Sequence, residues 1–281
     1  MNSQFHSHEE ALKGAMDGNI HAFHFLFDAF RPQLRSYIFR LTANFDDAED
    51  LVHDTFLRAF DHISTYRGEA ALKSWVFQIA TNLALNLLST RARWVPDVKQ
   101  RAKALALSNS EVMDSVLNTL KENPAEKYEL TEHIDACFTC LSKTLPLDEQ
   151  IAVILKDVYD FSLAEMCLIL EKSEGKVKYL LQGGRKKLME IFEHKCALIS
   201  KMGVCHQCSE LNGIFNSKQQ AEEEESKLDL VKNRERYERE ALYSLRVELI
   251  RGIDPLQSRG PRIQAALLKV DRMAMGEVSL P

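Results

Sequence analysis

"FSLAEMCLILEKSEGKVKYLLQGGRKKLMEIF", residues 161–192, decides how the rest of the chain is read. Its first half opens with a capping box, Ser162 followed three residues later by Glu165, in which each side chain satisfies the other's backbone N–H at a helix start. Leu163, Met166 and Leu170 then recur at helical spacing. The pattern breaks at Glu171 and Lys172, and Ser173 is a good cap for a second helix. Within that helix Val177, Leu181, Gly184 and Leu188 share one face, while Lys176, Lys178, Arg185, Lys186 and Lys187 lie largely off it. Gly183 and Gly184 stand side by side in the middle, each costing about 1 kcal/mol against alanine.

A short apolar helix, a tight turn and a longer basic helix have the dimensions of a helix-turn-helix. That motif sets its second helix in the DNA major groove, with the start of the helix nearest the base edges. The residues placed there are Ser173, Glu174, Lys176, Lys178, Tyr179 and Gln182, with Arg185 and Lys186 further along. Lys and Gln read base edges, and lysines also bind phosphate. An ordinary helical hairpin with a solvated basic face has the same spacing, and these residues alone do not separate the two.

The chain has 281 residues, enough for about two domains. Only 11 glycines and 7 prolines punctuate it, and long runs have helical spacing, so the expected class is all-α. The net charge of −5 does not suggest a nucleic-acid binder, but it averages an acidic 221–226 with a basic 172–187. Local charge, not net charge, sets an electrostatic footprint on DNA. No apolar run reaches the roughly 18 residues of a membrane span. The start "MNSQFHSHEEALKG" lacks a secretory pattern, so a cytoplasmic chain with reduced cysteines is expected.

Upstream, residues 8–43 read as helix, with a break or new first turn near Arg31 and Pro32. Residues 44–63 read as a second helix with Leu51, Val52, Thr55, Phe56, Ala59 and Phe60 as its buried stripe. Asp46, Asp47, Glu49 and Asp50 load its start, where the helix dipole favours acids. "STYRGEA" (64–70) is a loop and 71–93 a third helix. The pattern weakens from 94 to 127, a linker with some helix of its own. Helices over 128–142 and 147–158 lead into the opening stretch.

Three segments occur in order: "DAEDLVHDTFLRAF", "YRGEAALKSWVFQIATNLALNLL" and "LPLDEQIAVILKDVYDFSLAEMCLILEKSEGKVKYLLQGGRKKL". Together they resemble the second and fourth conserved regions of extracytoplasmic-function sigma factors, the promoter-specificity subunits of bacterial RNA polymerase. The resemblance implies two small helical domains. One is a region 2-like domain (1–93) for core binding and −10 recognition. The other is a region 4-like helix-turn-helix domain (128–193) for −35 recognition, joined to the first by the linker 94–127. A Cys-containing segment (194–216) and a charged helical tail (217–281) extend beyond the family pattern.

By the same resemblance, the partners are promoter DNA and core polymerase, through the clamp helices of the largest subunit and the flap of the second-largest. An anti-sigma factor, or the chain's own C-terminal extension, is the expected regulator. The core-facing surface falls around Asp47, Asp50, His53 and Asp54. Asp46 and Asp47 alternatively only cap a helix. The loop residues Tyr66, Arg67 and Gly68 fit a pocket that clasps one flipped base of the −10 element, since an extracted base needs a pocket. On the following helix Ser74, Gln78, Asn82 and Asn86 form a polar stripe expected to face single-stranded DNA. Val76, Ile79, Ala80, Leu83 and Leu87 lie on the core face. Trp75 is either a stacking surface or a core aromatic. The family often carries an acid at the position of Asn86. The basic residues from Arg91 to Lys103 suit phosphate or solvent equally. Such a subunit is not an enzyme. A conventional helix-turn-helix repressor, or a metal- or redox-sensing regulator, is the alternative.

Six cysteines include two C-x2-C pairs, "CFTC" and "CHQC". Zinc takes four thiolate or imidazole ligands, and C-x2-C presents two of them. One zinc ion held by Cys137, Cys140, Cys205 and Cys208 is the expected cofactor, with His133 and Cys196 as alternate ligands. A reversible dithiol, or plain buried thiols, are the rival readings. Cys167 belongs to the core of the helix-turn-helix. The tail carries Leu230, Tyr237, Ala241, Leu245 and Leu249 on one face, an amphipathic helix covering something, and "PRIQAALLKVDRM" follows as another. Of the glycine pair, Gly184 suits close packing. Gly183 leaves the helix without a side chain for phosphate, so Gly183→Arg is expected to tighten −35 binding.

Overall fold

The computed structural model describes residues 5, 7–122, 130–195, 239–256 and 261–280, and the regular structure among them is helical throughout. The N-terminal run divides into α1 (His8–Met16), α2 (Ile20–Asp28) and α3 (Arg31–Thr42). Pro32 does stand in the first turn of a new helix. The earlier break, between α1 and α2, is made by Gly18 at φ +88°, which a side chain would strain, and by Asn19, whose carboxamide accepts from the N–H groups of His21 and Ala22. α4 (Phe45–His62) and α5 (Leu72–Ser89) match their expected spans closely. Asn44, not an aspartate, caps α4, so Asp46 and Asp47 do not serve as its cap.

Phe23, Phe27, Phe56 and Phe60 pack α2 against α4, with ring centroids 5.2–5.7 Å apart from Phe23 to Phe56 and Phe60. Aromatic pairs at this separation add to their area burial. α3 and α5 close the bundle, joined by the buried hydrogen bond between Tyr37 and Thr81, 2.8 Å.

The linker contains two helices, α6 (Val98–Ser108) and α7 (Ser110–Glu122). They are not a loose tether. They pack with a C-terminal helix around a small core of Ala102, Ala106, Val112, Val116, Leu267 and Val270. α8 (Leu130–Ser142), α9 (Leu147–Val153, continued by a π-helical turn to Val158), α10 (Leu163–Leu170) and α11 (Glu174–Lys195) form the second domain. Among the described residues, α12 (Arg239–Arg251) and α13 (Pro261–Ala274) follow.

The class is all-α, as expected, but the two domains are not beads on a string. One continuous core runs through both. At their junction Arg40 of α3 is fully buried. Its guanidinium donates to Asp135 of α8 at 2.8 Å, to the Tyr159 hydroxyl at 2.5 Å and to the Ile253 carbonyl at 2.8 Å. Burial alone would lower the Arg40 pKa, but Tyr159 and Asp135 outweigh it and hold the group charged.

α12 also differs from expectation. Its buried face is Tyr243, Arg246, Val247 and Ile250. Ala241 is exposed and Leu245 and Leu249 are half-buried, while Leu230 and Tyr237 lie outside the described residues. The face turns because Arg246 lays its guanidinium 3.4 Å from the Phe192 ring centroid, so a charged residue occupies a core position.

Candidate nucleic-acid interface

α11 presents its basic face to solvent because its other face is committed. Val177, Leu180, Leu181, Leu188 and Phe192 are buried. Gly184 sits where α11 crosses α9 closely. A Cβ there would stand 2.7 Å from the Val153 Cγ2 and 3.1 Å from the Glu149 carbonyl oxygen. The expectation of close packing at Gly184 therefore holds. Gly183 also faces α9, with a Cβ 3.2 Å from the Glu149 carboxylate, so it does not lie on the outer face.

The outward residues are Ser173, Glu174, Lys176, Lys178, Tyr179, Gln182 and Lys186, all exposed. Tyr179 is 64% exposed, and the Lys176 ammonium lies 4.9 Å from its ring centroid. Glu174 pairs with Lys178 at 2.5 Å, which lowers the pKa of the first and raises that of the second. Arg185 departs from expectation. Its guanidinium forks onto Asp157, with Nε 3.0 and 3.1 Å from the two carboxylate oxygens, so it ties α11 to the body of the domain and is not free for phosphate. The capping box is present, with the Ser162 N–H donating to Glu165 at 2.9 Å and the Glu165 N–H to Ser162 at 3.3 Å.

On α4, Asp50, His53 and Asp54 are exposed on one face. Asp47 is half-buried and accepts two hydrogen bonds from Arg91, at 2.5 and 3.1 Å. Burial would raise the Asp47 carboxyl, but the hydrogen bonds from Arg91 and Asn44 outweigh it and hold the pKa low. Leu57, 44% exposed one turn beyond Asp54, completes this face, and the sequence reading passed over it. An apolar residue spaced i+3 from the last acid, outside the buried stripe, was the available signal.

The loop before α5 turns at a glycine and is braced by a tyrosine. Gly68 holds φ +70°, and the Tyr66 hydroxyl donates to the Ala70 carbonyl at 2.5 Å. Arg67 is exposed. The half-buried Trp75 packs 5.5 Å from the Tyr66 ring, so it supports the loop as well as facing outward.

The polar stripe of α5 is the main correction. Ser74 is not exposed at all. Its hydroxyl donates to Glu165 of α10 at 2.8 Å. The Gln78 amide donates to Glu171 at 2.8 Å. Asn82 is half-buried and Asn86 exposed. On the core face Val76 and Ala80 are buried, and Ile79, Leu83 and Leu87 are half-buried. The physical reason for the correction is that α10 lies against α5, with Phe161 4.9 Å from Phe77.

The linker basics are also spoken for. Arg93 donates to the Leu145 carbonyl at 2.8 Å and to Gln150 at 2.6 Å, Lys99 pairs with the buried Asp271, and Arg101 pairs with Asp97 at 3.2 Å.

Residues 26–95 match the family model "Sigma-70 region 2", and residues 135–188 match "Sigma-70, region 4". The chain is 30% identical over 158 residues to the ECF RNA polymerase sigma factor EcfG of Rhodopseudomonas palustris, covering 77% of that protein and 56% of this one. The chain belongs to the extracytoplasmic-function sigma factors. It is also 26% identical over 174 residues to SigG of Mycobacterium tuberculosis, and spans 47% of that relative's length. With SigW of Bacillus subtilis it shares 24% identity over 182 residues, 94% of SigW and 64% of this chain.

In sigma-factor terms, α3, α4 and α5 lie within region 2, and α9, α10 and most of α11 within region 4. α12 and α13 lie outside both matches.

Of the expected zinc ligands, Cys137 and Cys140 lie on α8, the first half-buried and the second 1% exposed. Burial pushes the Cys140 thiol up, so a bound metal would have to offset that cost to hold a thiolate there. Cys196, Cys205 and Cys208 lie outside the described residues, as does the side chain of His133. Among the described residues no cluster of three or more His, Cys, Asp or Glu could hold a metal ion. Cys167 is half-buried against the core of the helix-turn-helix, as expected. Among the described residues no helix is long and apolar enough to cross a membrane.

Proposed function

We propose that this chain is a promoter-specificity subunit that joins core RNA polymerase and directs initiation at its own set of promoters. One observation carries the reading. A solvent-facing basic helix, α11, is seated on a capped helix-turn-helix, in a chain whose other domain matches sigma region 2. On this reading Lys176, Lys178, Tyr179 and Gln182 meet a −35 duplex. Tyr66, Arg67, Gly68, Gln78, Asn82 and Asn86 capture the melted −10 strand. Two weak sites on one chain then act as a bivalent reader. The face of Asp50, His53, Asp54 and Leu57 meets the clamp helices of the largest subunit, and the second domain meets the flap. The protein acts in the cytoplasm, and the chemistry of polymerisation belongs to the core enzyme.

Run-off transcription with purified core polymerase on a library of genomic fragments, followed by 5′-end mapping, tests this. Starts sharing a −35/−10 pair that vanish without the protein are expected. Tight duplex binding without core, and no core complex, would instead identify a repressor.

The cysteine pairs support one more element. Zinc held by Cys137, Cys140, Cys205 and Cys208 would tie the tail to α8. Metal content of the purified protein, with and without Cys205→Ser, decides it. Metal-free protein from a reducing, chelator-free preparation overturns it.

A further inference from the structure

We propose that the cleft between α7, α13 and the turn from α3 into α4 binds a small apolar carboxylic acid, with Arg272 as the seat of its carboxylate. None of the lining residues is among those assigned above to DNA or to core polymerase, so the site stands apart from the promoter reading.

The cleft has the size of a ligand site. Its volume is about 550 Å³, and small-molecule sites run from about 300 to 1,000 Å³. Phe39 of α3, Phe45 of α4, Val112 of α7, and Leu268 and Met273 of α13 make the wall mostly apolar. Ala43, Ala265 and Ala266 stand in the same wall, where larger side chains would fill the space. An apolar wall with a few polar groups to fix orientation is what a small molecule needs.

The polar group here is Arg272. Its side chain is 11% exposed, and its Nε is buried and makes no hydrogen bond among the described residues. A buried polar group without a partner costs free energy, and more so when it is charged. The acids that bear on Arg272 are already engaged. Asp47 accepts from Arg91 through both carboxylate oxygens. Glu277 accepts from Trp94 and pairs with Lys143. It stays 3.6 Å from the Arg272 Nε, beyond hydrogen-bond reach. Burial lowers the Arg272 pKa in spite of both acids, and the charge of Arg91 adds to that. The guanidinium is thus a cation in an apolar wall without a hydrogen-bonded acid of its own.

Asp46 and Lys269 also line the cleft, both at exposed positions. They carry opposite charges and offset each other. Arg272 therefore sets the preference. A guanidinium takes a carboxylate in a fork of two N–H groups. The fitting ligand is one carboxylate on an apolar body. A neutral apolar molecule leaves the guanidinium bare, and an ammonium is repelled by it.

The test titrates the full chain with sodium decanoate, held below its micelle concentration, by calorimetry. Decanol and decylammonium are the charge controls. One equivalent of decanoate should bind, decanol at least about tenfold more weakly and decylammonium not at all. Octanoate, two methylenes shorter, should bind roughly 15-fold more weakly than decanoate. Arg272→Met should bring decanoate down to the affinity of decanol and leave decanol unchanged. Ala266→Phe, which fills the cleft, should weaken both. Circular dichroism verifies that the variants fold, and the comparison of decanoate with decanol needs no variant. Three results overturn the proposal: no binding of decanoate, decanol binding as tightly as decanoate, or decanoate binding that a folded Arg272→Met or Ala266→Phe leaves unchanged.

Discussion

α5 and α11 are both helices whose polar faces the sequence assigns to DNA, yet the structure treats them oppositely. α11 leaves Tyr179 64% exposed, whereas Ser74 of α5 is 0% exposed. The difference is not in the helices themselves. Each has a committed apolar face and a polar outer one. It lies in what packs outside: nothing among the described residues lies on the outer face of α11, while α10 lies on α5. A polar stripe therefore shows only that a face is not apolar core. It does not show which partner holds it at rest.

The contrast breaks most sharply at Arg40, which pins the covered side. Arg40→Met strands Asp135 in the interior, and losing one partner of a buried pair costs about 3–5 kcal/mol. Urea unfolding of the full chain measures it. Arg40→Met with Asp135→Leu should recover most of the loss, because an apolar pair of similar volume needs no hydration. A single variant as stable as wild type would mean the domains are not joined here.

The open side has its own weak point. Gly184→Ala gains about 1 kcal/mol of helix propensity. It also drives a Cβ to 2.7 Å from Val153 and 3.1 Å from backbone. Overpacking of this kind costs about 1–3 kcal/mol, so a net loss of melting stability is expected, with −35 binding weakened as α11 tilts off α9. Lys176→Ala should act on binding alone. Duplex affinity falls evenly across sequences, and the slope of affinity against salt drops by about one, with thermal unfolding unchanged.

Acid should separate two of the contacts between helices, Glu165 with Ser74 and Asp271 with Lys99. Burial would raise the Glu165 carboxyl, but bonds from Ser162 and Ser74 and the charge of Lys73 hold it below the usual range. Its folded pKa is depressed, so its contribution is present above the ordinary glutamate range and fades as pH falls through the folded value. Asp271 runs the other way. Burial raises its pKa despite Lys99, so protonation in acid favours its buried state. Hydrogen exchange at stepwise lower pH should therefore show α5 losing protection before α13 does.

The all-α class, the spans of α4 and α5, the capping box and the turn between α10 and α11 were legible in the sequence, because each depends on residues within one or two turns of one another. The face of α12 was misread because Arg246 takes a core position on the Phe192 ring, a choice made by tertiary contact. Ser74 was read as exposed for the same reason, since the residue that covers it, Glu165, is 91 positions away. Arg185 has the charge of a phosphate ligand, and only the fold shows Asp157 beneath it. Periodicity reports that a face is apolar or polar. It does not report which distant segment answers it.

Gly183→Arg sets the sequence reading against the structure. From spacing alone the new side chain supplies a missing phosphate contact and tightens −35 binding. In the fold its Cβ points at Glu149, whose two carboxylate oxygens already accept from Lys187 at 2.7 and 2.8 Å. An arginine placed there meets a buried acid first and competes with Lys187, so it stays on the α9 side of the helix. The expected result is a change in duplex affinity within about 0.5 kcal/mol, the ordinary range for a change away from the contact surface. The salt slope should not move. A clear gain in affinity has two sources, the arginine reaching DNA or Lys187 released toward phosphate. Adding Lys187→Ala tells them apart: the gain survives in the first case and is lost in the second.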